Sequence, residues 1–243
     1  MKAHYDLHLH SCLSPCGDLD MTPNNIAGMA KLCGLNIIAL TDHNTCKNCR
    51  AAIAAGKKQG VCVVPGMELC TAEEIHVVCL FPTLQSALSF DGAVYPHLMD
   101  IKNRADIYGQ QLMLDENDEP AGLEEKLLIT AADIPLYGLS GFVGSFGGVC
   151  FPAHIDRDSY SILSVLGEIP PEEQFSAIEI TANGDVEALK KQHPALSGMI
   201  LLKDSDAHYL ENMQEASSFL ELPELSAQCL VRALRDNKTK WIR

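Results

Sequence analysis

The chain has 243 residues, 47% of them hydrophobic and 21% charged, with a formal net charge of −14. That is apolar enough for a sizeable core and too balanced for disorder. The acidity speaks against a long nucleic acid gripped through its phosphates by clustered Lys and Arg, and length alone leaves one α/β barrel or two small domains open.

The first predicted element is a strand over residues 5–10, Tyr5-Asp6-Leu7-His8-Leu9-His10. His8 and His10 stand two apart, so on a strand both imidazoles point to one face and can share a metal. Thr22-Pro23 is a good helix start, Ile26, Met29, Ala30 and Cys33 recur at helical spacing, and Gly34 ends the segment. A second strand over 36–41 runs into Asp42-His43-Asn44, at the C-terminal mouth where α/β sites are assembled. Asp42 reads either as the orienting partner of His43 or as a helix cap. A helix over 50–58 follows, and the spacing of Cys46 and Cys49 before it is read as coincidence, since no second Cys-x-x-Cys completes a zinc site.

The third strand, 61–68, ends in Gly66-Met67-Glu68, an acid whose burial needs a compensating cation. Too few residues separate Glu68 from His76 for a crossover connection, so the strand over 75–81 must double back as a hairpin. His76 is thereby brought to the same rim as Glu68. Residues 82–147 read as an insertion, a hairpin around the acidic turn Asp115–Glu119 followed by a helix, capping the site. Strands over 148–154, 177–181 and 198–203 complete a set of seven. The first of these ends in Pro152-Ala153-His154, and the last runs into Asp204-Ser205-Asp206-Ala207-His208, where two acids so close together imply a cation. A helix over 226–236 closes the chain. The strands are apolar almost without alternation, as strands buried on both faces are, and they alternate with helices, which gives a parallel-rich α/β fold.

Nothing at the N-terminus resembles a signal peptide, and no apolar run approaches the roughly 20 residues of a membrane span. The ten cysteines are scattered. The expected location is cytoplasmic, with reduced thiols and no membrane partner.

His-Leu-His-Ser, Thr-Asp-His, Gly-Met-Glu, His76, Pro-Ala-His and Ser-Asp-Ala-His, in this order, resemble the PHP (polymerase and histidinol phosphatase) family. The resemblance implies a single domain over 1–243, a distorted seven-stranded (β/α)7 TIM-like barrel, with a trinuclear metal centre at its C-terminal rim. It implies two to three divalent ions, Zn, Mn or Fe. By position, His8, His10, Glu68 and Asp206 would hold the first, His43 and His208 the second, and His76 and His154, with Glu68 bridging, the third. The remaining ligand position of the second site is occupied by Cys16, a competent thiolate, with Asp18 as its rival. The implied activity is hydrolysis of a small phosphorylated substrate, a phosphomonoester or a nucleotide or phosphodiester, by a metal-activated hydroxide, with Asp206, His208 and Glu68 as catalytic residues. Arg157 and Lys203, with Lys47 behind them, are candidates to hold a substrate phosphate. Alternatives are an exonuclease on short nucleic acid, amide hydrolysis by the same metal logic, and a non-catalytic metal-binding or regulatory protein.

Overall fold

The computed structural model describes residues 1–242. The strands are β1 (Lys2–Leu9), β2 (Ile37–Leu40), β3 (Cys62–Cys70), β4 (His76–Leu80), β5 (Leu112–Leu114), β6 (Pro120–Leu123), β7 (Val149–Pro152), β8 (Ala177–Thr181), β9 (Ile200–Asp204), β10 (Phe219–Glu221) and β11 (Trp241–Ile242). The helices are α1 (Pro23–Leu32), α2 (Cys49–Gln59), α3 (Leu84–Val94), α4 (Ala105–Tyr108), α5 (Leu139–Ser145), α6 (Ile162–Leu166), α7 (Val186–Gln192) and α8 (Ala227–Arg235).

Local chemistry accounts for the helix ends. The Thr22 hydroxyl accepts from Asn25 N at the start of α1, with Pro23 in the first turn, and Ser226 caps α8 through Cys229 N. Gly60, at φ 75°, ends α2 in the left-handed conformation that glycine adopts without penalty.

Each of the seven runs expected as strands is one. The main sheet has the order β11-β10-β1-β2-β3-β4-β7, parallel across β1, β2 and β3 and antiparallel on both sides of β4. The expected reversal is the β3–β4 hairpin, with Cys70 opposite His76. It leaves the start of β4 at the same rim as the C-terminal ends of its neighbours.

A closed (β/α)7 barrel is not what the hydrogen bonding shows. Strands β8 and β9 form a separate parallel pair. They meet the main sheet through isolated contacts: Ile155 N to Glu179 O at 2.9 Å on one side, His10 N to Ala207 O at 3.1 Å on the other. The cause lies in β1. Its first residues, 2–4, pair antiparallel with β10, so only its C-terminal end is available to β9. The sheet is therefore curled and open, and both its faces are buried: Ile38 and Leu40 join one apolar cluster, Ile37 and Ala39 the other.

Between β4 and β7 the structure holds α3, α4, the β5–β6 hairpin and α5. The hairpin turn is organised by Asp115, whose carboxylate accepts from Asn117 N and Glu119 N. The segment is tied to the loops of the rim. Leu112 N donates to Cys12 O, Asn48 brackets Leu112 and Leu114, and the Asn44 side-chain amide donates to Leu128 O and Thr130 O. Residues 127–130 are therefore a loop, buried at Leu127 and Leu128, strapped to the segment after β2. Among the described residues no helix is long and apolar enough to cross a membrane.

Candidate metal centre

Glu68 is the hub. Its Oε1 lies 2.8 Å from His76 Nδ1 and 3.2 Å from both His8 Nε2 and His154 Nε2, and its Oε2 lies 2.9 Å from His43 Nδ1 and 3.3 Å from His10 Nε2. Asp206 faces the same centre, with Oδ1 at 3.1 Å from His10 Nε2 and 3.4 Å from His8 Nε2. The His208 ring stacks on His10 at 4.1 Å between centroids. His8, His10, Glu68 and His154 are almost fully buried.

The elements explain the convergence. On β1 the two-residue spacing does bring His8 and His10 to one face, their Nε2 atoms 3.2 Å apart. A parallel bridge between His43 and Glu68 carries the β2–β3 pairing into the site. His76 opens β4, and the remaining candidates His154, Asp206 and His208 sit on loops, two of them with left-handed backbones, His154 at φ 29° and Asp206 at φ 51°. Such a conformation is costly for a residue with a β-carbon and persists only where surroundings enforce it.

Ordinary hydrogen bonds do not satisfy this cluster. His43 Nδ1, Glu68 Oε2, His154 Nδ1 and Asp206 Oδ1 are buried without an aligned hydrogen-bond partner among the described residues. Several imidazoles, by contrast, have their outer nitrogen held. His8 Nδ1 contacts Glu179 Oε2 at 2.8 Å, His10 Nδ1 contacts Ser14 Oγ at 2.9 Å, and His208 Nδ1 contacts the Asp206 carbonyl at 2.9 Å. Donating Nδ1–H outward leaves the Nε2 lone pair facing inward, the arrangement of a metal-ligating histidine. Three donor groups fit an ion: His8, His10, Glu68 and Asp206; His10, His43 and His208; His43, Glu68 and His76.

The electrostatics agree. Burial alone would raise the Glu68 and Asp206 carboxyls, but the surrounding imidazoles hold both below the usual carboxylate range. Burial works against a charge on His10, yet Asp206 and Glu68 lift it to about 9. His43 is pushed down to about 4 and His208 to about 3 by burial and, among their charged neighbours, by His10. A divalent ion entering the cluster would displace the proton that Asp206 and Glu68 favour on His10.

Most predicted site residues meet here; others do not. Cys16 is exposed and outside these donor groups. Asp18, its rival, is likewise in none of the groups; its carboxylate accepts from Asp20 N. Asp204 does not share the cation with Asp206. It turns away to accept from Leu7 N at 2.6 Å, with burial and the charges of Glu179 and Asp6 keeping its carboxyl high. Asp42 serves neither as a cap nor as a direct partner of His43. It accepts from Ser11 N, Ser11 Oγ and Ser14 Oγ, so it reaches His10 through Ser14. Arg157 lies at the site, with Nη1 2.7 Å from Asp206 Oδ2 and the side chain half-exposed. Lys203 instead donates to Ala182 O and Gly184 O, and Lys47 pairs with Glu124 over the Tyr95 ring. The Cys46 and Cys49 thiols are buried and share the Gly66 carbonyl.

Two supporting residues escape the sequence reading. Glu179 accepts from His154 N at 3.1 Å as well as contacting His8. Its signal was an acid inside the apolar run Ala177-Ile178-Glu179-Ile180. Tyr160, stacked on His76, had no such signal.

The PHP domain family model matches residues 6–157. The chain belongs to the PHP family. It is 36% identical over 83 residues to a 5′-3′ exoribonuclease of Haemophilus influenzae, covering 33% of this chain and 29% of that protein. An uncharacterized protein of Methanocaldococcus jannaschii is 38% identical over 81 residues, 30% of this chain and 46% of that protein. The chain thus spans less than half of either relative. Among solved structures, Endonuclease Q from Pyrococcus furiosus, a lesion-specific endonuclease, superposes with a TM-score of 0.68 at 18% identity, over 99% of this chain and 58% of that one. A protein of Bifidobacterium adolescentis assigned as a metal-dependent phosphoesterase superposes with a TM-score of 0.60 at 16% identity, over 87% of this chain and 92% of that one. At such identities the likeness is one of fold.

Proposed function

We propose that this chain is a metal-dependent phosphoesterase, and that its rim is the trinuclear centre of a distorted, incompletely closed seven-stranded PHP barrel. The observation that carries the reading is the convergence of five imidazoles on the two oxygens of Glu68, with buried donors left unsatisfied. His8, His10, Glu68 and Asp206 would hold one ion, His43 and His208 a second, and Glu68 and His76, with His154, a third. Two or three ions of zinc, manganese or iron would supply Lewis acidity toward the phosphoryl oxygens and a nucleophile near neutral pH.

The chain's own groups supply the rest. Arg157 contacts Asp206 with one nitrogen and is half-exposed, leaving donors for a substrate oxygen. His208, fixed at Nδ1 on the Asp206 carbonyl, would present Nε2 to the second ion, which leaves Asp206 as the candidate to orient or relay the proton. Asp206 holds Arg157 on one side and faces His8 and His10 on the other. The segment between β4 and β7, strapped to the ligand-bearing loops, walls the site and governs access.

Both small phosphoesters and nucleic acids are within this reading. The net charge of −14 argued against long nucleic acid. Yet Endonuclease Q, of similar fold, is known in complex with a 27-mer duplex substrate carrying an abasic lesion at the active site, so charge alone does not decide. The deciding experiment measures metal content and then hydrolysis of phosphomonoesters, mononucleotides and 5′-phosphorylated oligoribonucleotides, in wild type and Asp206→Asn. Two to three ions and a phosphoesterase activity lost in Asp206→Asn with the fold intact are expected. A protein that binds ions yet cleaves none of these would be a binding or regulatory protein, or would act on another bond.

A further inference from the structure

The loop after β7 holds two side chains that the metal cluster does not use up. It is braced along its length: Arg157 N donates to His154 O, the Asp156 carboxylate takes both Thr181 N and Thr181 Oγ1, and Ser161 Oγ donates to Arg157 O. Within this frame Tyr160 has a left-handed backbone, φ 54°, and its carbonyl receives the first amide of β4, His76 N, at 2.9 Å. Its ring lies over the His76 imidazole, 4.7 Å between centroids and 30° between planes. The residue is nevertheless 44% exposed. One short turn thus presents an aromatic ring above one ligand candidate and a half-exposed guanidinium against another, Asp206.

A ring with one face on an imidazole and the other open is a stacking surface for a second flat π-system, and every nucleobase has such a face. A guanidinium three residues away suits the phosphate that accompanies it. We propose that Tyr160 is the nucleobase platform of the site: the substrate is a nucleotide, free or at the end of a strand, its phosphate at the Glu68–Asp206 cluster and its base on Tyr160. This rests on the phosphoesterase reading and narrows its substrate class. The strained backbone then has a purpose, because it turns the ring over the cluster.

The test compares AMP with ribose 5-phosphate, which shares the sugar and phosphate but lacks the base, in wild type, Tyr160→Ala and Tyr160→Phe. The expected result is a KM for AMP raised roughly tenfold or more in Tyr160→Ala, with kcat little changed. Ribose 5-phosphate kinetics and metal content should be unchanged, and Tyr160→Phe should behave as wild type. Adenosine binding to the metal-loaded protein, followed by calorimetry, should be detectable in wild type and absent in Tyr160→Ala. Equal losses on both substrates, accompanied by lost metal, would mean that Tyr160 only buttresses His76, and would overturn the proposal. So would wild type that does not favour AMP over ribose 5-phosphate. If neither compound is hydrolysed, adenosine binding decides the platform by itself, and the phosphoesterase reading stands or falls on the 5′-phosphorylated oligoribonucleotide assay.

Discussion

The two sides of the metal centre are built differently. On one side His8, His10, Glu68 and His76 sit on or at the ends of strands in the continuous sheet, where ladder hydrogen bonds fix each backbone. On the other side His154, Asp206 and His208 stand on loops, two with left-handed backbones, beside a β8–β9 pair that meets the sheet through isolated contacts. The strand side has left-handed residues as well, Asn44 next to His43 and Glu74 in the β3–β4 turn, but neither is a ligand candidate. The strand side is a rigid template. On the reading proposed above, the loop side would be held in register by the ions it grips, beside the braces from Glu179, Thr181 and Ser161.

Breaking the template should have the largest effect. Glu68→Gln removes the charge that five imidazoles face. The expectation is loss of at least two ions by elemental analysis and a fall in phosphoesterase activity of about 10³-fold or more, the order attached to a principal electrostatic group. Near-normal metal content would show that the imidazoles suffice and that Glu68 is not the hub.

Glu179 joins the two sides, since it contacts His8 on the template and receives His154 N on the loop. Glu179→Gln keeps the shape but weakens the hold on the His8 tautomer. Metal affinity should fall by roughly 10- to 100-fold, as for other supporting partners of ligating histidines. Unchanged affinity in a competition titration with a chelator would confine Glu179 to packing.

The asymmetry also predicts where chelation is felt. On metal removal, amide hydrogen exchange should quicken severalfold in residues 154–160 and 205–208 and remain slow in β2 and β3. Uniform quickening would mean that the two sides open as one unit and would remove the distinction drawn here.

How much of this was legible beforehand follows the same division. His8, His10, Glu68 and His76 could be placed from strand period and from the short Glu68–His76 connection, because a strand fixes which way alternate side chains point. His154, Asp206 and His208 could be named, but not why they converge, because left-handed backbones at His154 and Asp206 leave no trace in apolar patterning. Asp204 was given the wrong surroundings for that reason: two residues from Asp206, it binds Leu7 N instead of a shared cation. Whether the barrel closes could not be read from the sequence, because pairing between β1 and the short late strand β10 carries no strong sequence signal. Tyr160 was invisible because only the loop's three-dimensional path lays it over His76.

Cys16 gives the smallest expected effect and the sharpest test of position against chemistry. A thiolate at the family's ligand position is chemically competent for zinc or iron. The structure, however, leaves Cys16 exposed on the loop after β1, and His10 rather than Cys16 joins His43 and His208 in the second donor group. Cys16→Ser should therefore leave metal content unchanged and alter activity by no more than about twofold, within the range of a surface substitution of about 0.5 kcal/mol. Loss of about one equivalent of metal in the serine variant would instead show that the loop closes onto the second ion when it binds. The strand-side template would then extend one turn beyond β1, with a ligand that is assembled only in the loaded state.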